Sequence, residues 1–517
     1  MMNKLLKLFC MAGLLMMASC SNVNSNLEKM IPGDATGAVC VRMPEILEAS
    51  GILSHGDVVM PRSLQTVIDS HDDGLMSVLF TDLPHLGLDL EHNLYAFSWT
   101  KTFNSVLLVP LSDAKATRKT VGQRLEEDFK DVDGLSCIYK NDELYAIDGD
   151  VLLVGHVAKP VEVEKAVKSA RSVLLKSYTS LLENDDVRAC LHDDDTQINA
   201  YITLKGLKSL LNRSELYQEL SEVMPLVEIF TESDIDNIEL KAKIDEKEVN
   251  WTATIHAADN SEYMQLLNTT LSKPSADVLK AIPNSMDYII SISIKGDRFV
   301  ELNQIKQLLD LVGKQPKLGA LDLSSILTTV DGPFAVGLAR DPMLEGEWNL
   351  VISATSRNPD QVMKQISAFA NKMGQAPEMY DNEYVYEYEN KMIRIGQIDG
   401  VLYVKLLDYE QTEGNANSLP KVHDVFAKSV IGLFAQTQLG QSKGYFDFGF
   451  TDNLNAVGHF YTDAADANVA LEFLRAICVM QKSGGNQDFD ASDMTLDGED
   501  DVPLFPEDAD LKLKSVS

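Results

Sequence analysis

Two motif types in the sequence place a serine at the spacing that serine enzymes use. Gly440-Gln441-Ser442-Lys443-Gly444 matches the G-x-S-x-G string of serine hydrolases, in which a strand-to-helix turn lifts the serine above a sheet. Here the residue pattern predicts a helix before the motif, over about Val422–Gln438, and a strand after it, over Tyr445–Phe450. A serine hydrolase needs a strand before this motif and a helix after it, which is the reverse of the predicted order. We therefore expect Gly440 to end a helix and Ser442 to have no catalytic role.

The S-x-x-K motif, which puts a lysine one helical turn from a nucleophilic serine, occurs twice. Ser112 and Lys115 lie at the start of a helix predicted from about Asp113 to Lys130, where Ser112 suits a helix cap. The second copy, Ser418–Lys421, contains Pro420 and is predicted to be a loop. No S-D-N or K-T-G partner is present, so we predict structural roles for both copies and no catalytic residues.

Acidic clusters raise the possibility of a metal site. The clusters are His71–Gly74, His192–Asp195 and Asp488–Asp490, and none has the spacing of a calcium-binding loop. Solvated loop acids are the favoured interpretation, with a weak ion site as the alternative. The nine histidines are scattered, and no P-loop, G-x-G-x-x-G or H-E-x-x-H string occurs. We predict no metal and no cofactor.

One set of aromatic residues has a pattern that suits ligand binding. Tyr384, Tyr386 and Tyr388 alternate along a predicted strand and share one face. Such a face stacks on sugar rings or on a partner chain, or it covers the sheet beneath a helix with its hydroxyls at the rim. These three tyrosines are the candidate ligand-facing residues of the sequence. Phe446, Phe448 and Phe450 alternate in the same way and are expected to be core.

The N-terminus has the layout of an export signal. Lys4 and Lys7 precede the apolar run 8–17, and Ala18-Ser19 lead to Cys20. Small residues ending on a cysteine resemble the lipobox of bacterial lipoproteins, which implies cleavage before Cys20, diacylation of its thiol and acylation of its new amino group. An ordinary secretory signal is the alternative. Several acyl chains give stable anchoring, whereas one chain is marginal.

The expected location follows from the residues around Cys20. A polar tether is predicted over residues 20–35, and it lacks the acidic cluster that surface-exported lipoproteins of the Bacteroidetes often carry. We therefore expect the outer membrane, facing the periplasm, with the cell surface as the alternative. No later segment approaches about 20 uninterrupted apolar residues.

Four cysteines remain after Cys10 is removed with the signal and Cys20 is acylated. They are Cys40, Cys137, Cys190 and Cys478, and none has CxxC spacing. We expect buried free thiols, although an exported protein can pair two of them.

The charge composition of the chain limits the classes of molecule that it can bind. The 517 residues carry 45 basic and 78 acidic side chains, a net charge of −33 that becomes −35 once Lys4 and Lys7 are lost with residues 1–19. Phosphate binding needs clustered Lys and Arg, so nucleic acid is excluded as a partner. Residues 484–517 hold ten acids and only scattered apolar residues, and we predict an acidic disordered tail there.

The chain resembles itself at one fixed spacing. Lys29-Met30-Ile31-Pro32 and Lys280-Ala281-Ile282-Pro283 both precede predicted strands, 251 positions apart. Ile147-Asp148-Gly149 and Ile398-Asp399-Gly400 are also 251 positions apart, between apolar runs that read as hairpin strands. We predict an α+β fold in two similar halves, residues 36–279 and 280–483, each an antiparallel sheet with helices packed on one face.

The lipobox, the Lys-x-Ile-Pro segments and the doubled layout are similar to an uncharacterised family of Bacteroidetes lipoproteins, known only as a domain of unknown function. The resemblance implies an exported, lipid-anchored envelope protein and transfers no site residues. We expect a non-enzymatic binding or scaffolding role, with an envelope protein or a glycan as partner. An envelope hydrolase or glycan-processing protein with dispersed acidic residues is the alternative.

Overall fold

The computed structural model describes most of the chain from Leu27 to Lys482. It describes residues 27–54, 57–62, 64–65, 83–99, 102–140, 142–157, 163–206, 234–313, 322–340, 348–372, 378–380, 383–388, 391–407, 415–419, 421–439, 442–451, 454–464 and 467–482. The predictions for Cys20, for the acid-rich loop 71–74 and for the tail 484–517 lie outside these residues.

The first group of strands, which we call the N-terminal set, belongs to residues 37–257. It consists of β1 (Gly37–Val41), β4 (Leu94–Trp99), β5 (Phe103–Pro110), β6 (Lys130–Val132), β7 (Leu135–Lys140), β8 (Glu143–Asp148), β9 (Val151–Val157), β10 (Ile198–Thr203), β11 (Ile235–Ile244) and β12 (Val249–Ala257). A separate small hairpin is formed by β2 (Leu53–Ser54) and β3 (Asp57–Val58).

The second group, the C-terminal set, belongs to residues 288–462. It consists of β13 (Tyr288–Lys295), β14 (Val330–Arg340), β15 (Trp348–Ser356), β16 (Glu378–Tyr380), β17 (Glu383–Tyr388), β18 (Lys391–Ile398), β19 (Val401–Leu407), β20 (Ile431–Leu439), β21 (Ser442–Phe450) and β22 (Asn455–Thr462).

All these strands, apart from the small hairpin, join one antiparallel sheet of 20 strands. From one edge to the middle the pairing order is β6-β7-β8-β9-β5-β4-β1-β10-β11-β12. From the other edge it is β16-β17-β18-β19-β15-β14-β13-β20-β21-β22. The two sets meet where β12 pairs with β22, and we call this junction the seam. The predicted α+β class is confirmed.

The α-helices of the described residues connect or cover these strands. They are α1 (Met43–Ala49), α2 (Ala114–Leu125), α3 (Val163–Leu174), α4 (Asp185–Leu191), α5 (Glu262–Thr270), α6 (Gly296–Phe299), α7 (Asn303–Gly313), α8 (Leu323–Thr328), α9 (Pro359–Lys372), α10 (Val422–Lys428) and α11 (Val469–Lys482). In this part of the chain, no helix is both long and apolar enough to cross a membrane.

The prediction that helices cover one face of the sheet is wrong for the N-terminal set. Val39 and Val41 of β1 pack in one apolar cluster with α1, α2 and α11, while Ala38 and Cys40 pack in a second cluster with α3 and α4. All five residues of β1 are buried. A strand buried on both faces is a continuous apolar run, as this one is, and such a run does not alternate.

Local residue chemistry sets the ends of α2, and it corrects the predicted cap. Asp113 is the cap, because its carboxylate accepts from the backbone N–H groups of Lys115 and Ala116. Ser112 instead donates from its hydroxyl to the carbonyl oxygen of Leu88, at 2.9 Å. The helix ends before Lys130, since Glu126 adopts a left-handed conformation with φ 51°.

The helix predicted over Val422–Gln438 is also wrong beyond its second turn. α10 ends at Lys428, and Ile431–Leu439 is strand β20, which forms a hairpin with β21. The apolar residues of this segment fit a helical period in isolation. Pairing with β13 and β21 on either side overrides that local preference.

A buried polar network attaches the first described residues to the sheet. Glu28 is buried, and one carboxylate oxygen lies 2.7 Å from Nε2 of His192 and accepts from the Tyr95 hydroxyl at 3.4 Å. The hydrogen bond with His192, more than any other interaction, lowers the pKa of Glu28. Glu28 lies within the segment 20–35 that we predicted to be a tether, and it is held to the body by this hydrogen-bonded group. The tether prediction is therefore wrong from Leu27 onward, where the chain is already buried.

This network predicts a pH-dependent contribution to stability. Glu28→Gln is expected to lower the free energy of unfolding at pH 7 by about 1–3 kcal/mol. A carboxylate whose pKa is lowered on folding stabilises the protein above its usual titration range, and this contribution is lost as the pH falls through the lowered pKa. Urea unfolding from pH 7 to pH 3 should therefore show the two proteins converging in acid. Glu48→Gln, at an exposed position of α1, is the control and should match the wild type throughout. A Glu28→Gln deficit that stays constant with pH would contradict the assignment.

Candidate functional site

Of the three tyrosines predicted to share one face, only Tyr384 has a side chain that the structure describes. The ring of Tyr384 packs beneath α9, in a small apolar cluster with Val362, Met363 and Ile395. This is the packing alternative, in which the ring covers the sheet below a helix. The side chains of Tyr386 and Tyr388 lie outside the described part, so their ligand-facing role stays a prediction.

The serine motifs are not assembled into a site. Ser442 begins β21, which pairs antiparallel with β20, so the described element before it is a strand and not a helix. Ser418 donates from its hydroxyl to the carbonyl oxygen of Asn415 at 2.7 Å. Lys421 precedes α10 with φ 59° and pairs with Glu248. Neither lysine–serine motif brings a base to a nucleophile.

The cysteines of the described part are unreactive. Cys40, Cys137 and Cys190 are buried free thiols, as predicted. Burial raises the pKa of Cys40 and of Cys190 to about 12 and also raises that of Cys137. Because the thiolate is the nucleophile and the metal ligand, these groups are inert at neutral pH. The side chain of Cys478 lies outside the description.

The acidic cluster at His192–Asp195 holds cations of the protein itself. The Asp193 carboxylate lies 2.7 Å from Nζ of Lys241, and Asp194 pairs with Arg42. Burial alone would raise the pKa of Asp193, but the Lys241 hydrogen bond brings the net shift downward. Across the described ranges, no group of three His, Cys, Asp or Glu residues is placed to hold a metal ion.

The structure assembles a polar cluster that the sequence did not single out, on the opposite face of β17 from Tyr384. It consists of Glu383 on β17, Arg394 on β18, and Tyr403 and Lys405 on β19. Arg394 lies directly opposite Lys405 in the strand pairing. We call these four residues the polar floor.

Hydrogen bonds and burial shape the polar floor. The Tyr403 hydroxyl donates to the Glu383 carboxylate, whose other oxygen lies 3.5 Å from Nη1 of Arg394. The Lys405 ammonium lies 4.5 Å from the centre of the Tyr403 ring, in a cation–π contact. Burial raises the pKa of Tyr403 and lowers that of Lys405. Within the described residues, Lys405 has no hydrogen bond or ion pair.

Gly396 makes room for this arrangement. A Cβ atom at Gly396 would lie 2.4 Å from the Tyr403 hydroxyl oxygen and 3.2 Å from Cγ of Glu383. Only glycine therefore lets the phenol lie across β18 and reach the carboxylate on β17. A larger residue would displace Tyr403 and, with it, the ring beneath Lys405.

The strands at the same place in the N-terminal set carry an apolar surface instead. In the pairing order β7-β8-β9, the corresponding positions are Cys137, Leu144, Ala146, Leu153 and Gly155. The first four are buried in the cluster covered by α3, and the Phe103 ring lies over Gly155. Residues 158–180 supply α3 after β9, whereas only residues 408–415 lie between β19 and the corresponding 3-10 turn at Ala416–Ser418. That shorter connection lacks the length for a helix like α3 and its two linkers. Among the described residues, no helix like α3 follows β19, and the polar side chains occur on the face of the C-terminal set that corresponds to the one covered by α3.

A second polar cluster lies at the seam. The Asp447 side chain is fully buried, and Oδ1 lies 2.6 Å from Nδ1 of His459, which is 27% exposed. The other carboxylate oxygen of Asp447 has no partner in the described structure. Nearby, Glu248, the residue before β12, pairs with Lys421 and accepts from Asn250 at 3.0 Å. Side chains from both strand sets thus meet across β12 and β22.

The seam cluster suits a structural role better than catalysis. His459 contacts a carboxylate, as in an acid–base pair, but no serine, threonine or cysteine donates to it among the described residues. Burial and the Asp447 charge raise the pKa of Tyr461, and Lys421 lies 4.8 Å from the centre of its ring. Glu248 and Lys421 pair across the junction, whereas Asp447 and His459 pair within the C-terminal set.

Sequence reasoning missed both clusters, although each leaves a trace. Lys405 follows Leu402-Tyr403-Val404 in a strand, and Asp447 lies between Phe446 and Phe448. A lone charge in an apolar strand marks a position where burial needs a partner. The partners lie on other strands, so neither cluster has a sequence string.

Comparisons with known proteins place few constraints on this chain. No protein-family model and no curated protein matches it. Crystal form III of TP0453 is similar with a TM-score of 0.30 and 14% identity, over 48% of this chain and 86% of that chain. Crystal form I of TP0453 gives 0.28 and 13%, over 48% and 85%. A DNA polymerase sliding clamp from Pseudomonas aeruginosa gives 0.10 and 12%, over 78% and 98%. These likenesses are too distant to support a functional argument.

Proposed function

We propose that this chain is a lipid-anchored protein of the cell envelope that binds or scaffolds another envelope component and is not an enzyme. The observation that carries the proposal is the signal ending in Ala18-Ser19-Cys20, followed almost at once by the folded body. Leu27 and Ile31 are fully buried. Seven Cα–Cα steps separate Cys20 from Leu27, and they span at most about 25 Å. Acylation of Cys20 would therefore hold the body close to a membrane surface.

We further propose that the two strand sets descend from one duplicated unit, covering residues 36–279 and 280–483. The matching pairing orders and the 251-residue spacing support this. So do two isolated bridges, in which Pro32 pairs with Ser180 and Pro283 pairs with Asn415. In such a duplication one copy is free to change while the other keeps the core. The polar floor on the second copy is a change of this kind.

The chemistry of the polar floor supports binding over catalysis. Lys405 and Arg394 are cations, and the only carboxylate among the four residues, Glu383, already accepts from Tyr403 and pairs with Arg394. A second carboxylate, as glycoside hydrolysis requires, is not among them. Side chains of Arg394 and Glu383 are 37% and 22% exposed, so solvent and ligands reach the cluster.

The anchoring part of the proposal is tested by Cys20→Ser. We expect the wild type in the membrane pellet of its own cells and the variant in the soluble envelope fraction, because the acyl chains would be absent. Cys10→Ser is the matched control, since Cys10 would be removed with the signal, and it should fractionate like the wild type. Unchanged membrane association of Cys20→Ser would refute the anchor. Protease treatment of intact cells then tests the proposed periplasmic orientation, in which the protein is protected.

The binding part is tested by affinity purification of the anchored protein from its own envelope. We expect a co-purifying component, identified by mass spectrometry, that is retained by wild type and reduced by Arg394→Gln. Lys243→Met, at an exposed position of β11, is the control. Recovery of the same material with all three proteins would count against binding through the polar floor.

A further inference from the structure

We propose that the polar floor binds an anionic oxygen group, a carboxylate or a phosphate, between Lys405 and Arg394. This inference rests on the proposed binding role and names the chemistry of its ligand. It starts from the strand pairing, which puts the two cations directly opposite each other on one face. Like charges at such a pair of positions repel and destabilise a sheet.

Among the described side chains, the polar floor holds one carboxylate for two cations. Glu383 is the one carboxylate of the floor, and it pairs with Arg394 while accepting from the Tyr403 hydroxyl. Lys405 is left with the face of an aromatic ring. An anion beside Lys405 would complete the charge balance and would use the ammonium donors that no described residue engages.

The strand arrangement around the polar floor does not itself require charged side chains. The corresponding positions of β7, β8 and β9 show that an apolar version of this surface is compatible with the same strand arrangement. A cation in place of Gly155 and another in place of Leu144 add desolvation cost with no gain in packing. Tyr403 and Gly396 fix the ring that supports Lys405, so the ammonium is positioned before a ligand arrives.

The test measures binding of inorganic phosphate and of acetate to the purified mature chain, with chloride at equal ionic strength as the reference. We expect at least one of the two anions to bind, and its dissociation constant to rise at least tenfold in Lys405→Met. The same constant should be unchanged in Lys243→Met. Preference for phosphate or for acetate identifies which oxygen group the site takes.

A second measurement does not depend on a substitution. Reductive methylation followed by mass spectrometry reports the accessibility of each lysine, and the bound anion should slow modification of Lys405 while leaving Lys243 unaffected. If both anions leave the methylation rate of Lys405 unchanged, or if Lys405→Met binds them as the wild type does, the proposal is overturned. Because the protein is assayed in purified form, this result is independent of the Cys20→Ser fractionation and of the co-purification.

Discussion

Replacing His459 with alanine is expected to lower the free energy of unfolding by about 1–3 kcal/mol, which is the usual cost of leaving a buried acceptor without its hydrogen-bond partner. Asp447 is fully buried, and its bond with His459 is the one that the structure gives its carboxylate. Without the imidazole, the folded protein holds a buried carboxylate with no hydrogen-bond partner among the described residues. The unfolded state hydrates the same group freely, so the equilibrium shifts toward unfolding.

The double-mutant cycle with Asp447→Asn separates this mechanism from a simple loss of packing. In the Asp447→Asn background, removing His459 leaves no buried carboxylate behind. The loss of stability in the double variant should therefore be smaller than the sum of the losses in the two single variants. Denaturant unfolding followed by tryptophan fluorescence suits the measurement, because Trp251 lies on β12 beside the seam. His423→Ala, at an exposed histidine of α10, is the control and should change stability by less than about 0.5 kcal/mol. Strict additivity at positions 447 and 459 would contradict the role given to the pair.

Sequence reasoning succeeded where the structure is set by local backbone chemistry. The hairpin between β8 and β9 turns at Gly149 with φ 57°, and that between β18 and β19 turns at Asp399 and Gly400 with φ 49° and 82°. Positive φ angles restrict the residue types, so such turns are visible in the sequence.

Sequence reasoning failed where the answer depends on neighbouring strands. Phe446, Phe448 and Phe450 were expected to be core, yet they are half-buried, while Tyr445 and Asp447 on the other face are fully or almost fully buried. The strand alternates as predicted, but alternation does not say which face is covered. Tyr445 is buried because Phe434 and Tyr461 from the adjacent strands stack on it.

The polar floor could not be predicted from the sequence, because it too depends on which strands are neighbours. Glu383, Arg394 and Lys405 come from three strands, and their proximity is a property of sheet register. Their significance also depends on comparison with Cys137, Leu144 and Gly155, which occupy the same places in the other strand set. That comparison requires the pairing order of the strands. The number of residues between matching positions in the two sets differs from one strand to the next, so one fixed spacing in the sequence does not find them all.

Gly458→Ala is expected to destabilise the protein by about 1–3 kcal/mol, through overpacking at the opposite face of the seam from His459. A Cβ atom at Gly458 would lie 2.3 Å from Cδ1 of Trp251 and 2.6 Å from the backbone oxygen of Asp447. The indole ring is itself held, with ring centres 5.2 Å from Phe446 and 5.3 Å from Phe473 of α11. Because these neighbours fill the space around it, the ring has little freedom to move aside.

The cycle with Trp251→Ala tests where the strain arises. Removing the indole relieves the closer of the two contacts, so the double variant should be more stable than the sum of the single losses implies. Part of the loss should persist, because the contact with the Asp447 backbone remains and the sheet must shift to relieve it. Gly134→Ala is the matched control. Gly134 has φ 77°, but an added Cβ atom there would meet no other atom within 4 Å, so the substitution should cost only about 1 kcal/mol of backbone strain. If Gly458→Ala unfolds at the same denaturant concentration as Gly134→Ala, the close contact across the seam is not a source of specificity for joining the two strand sets.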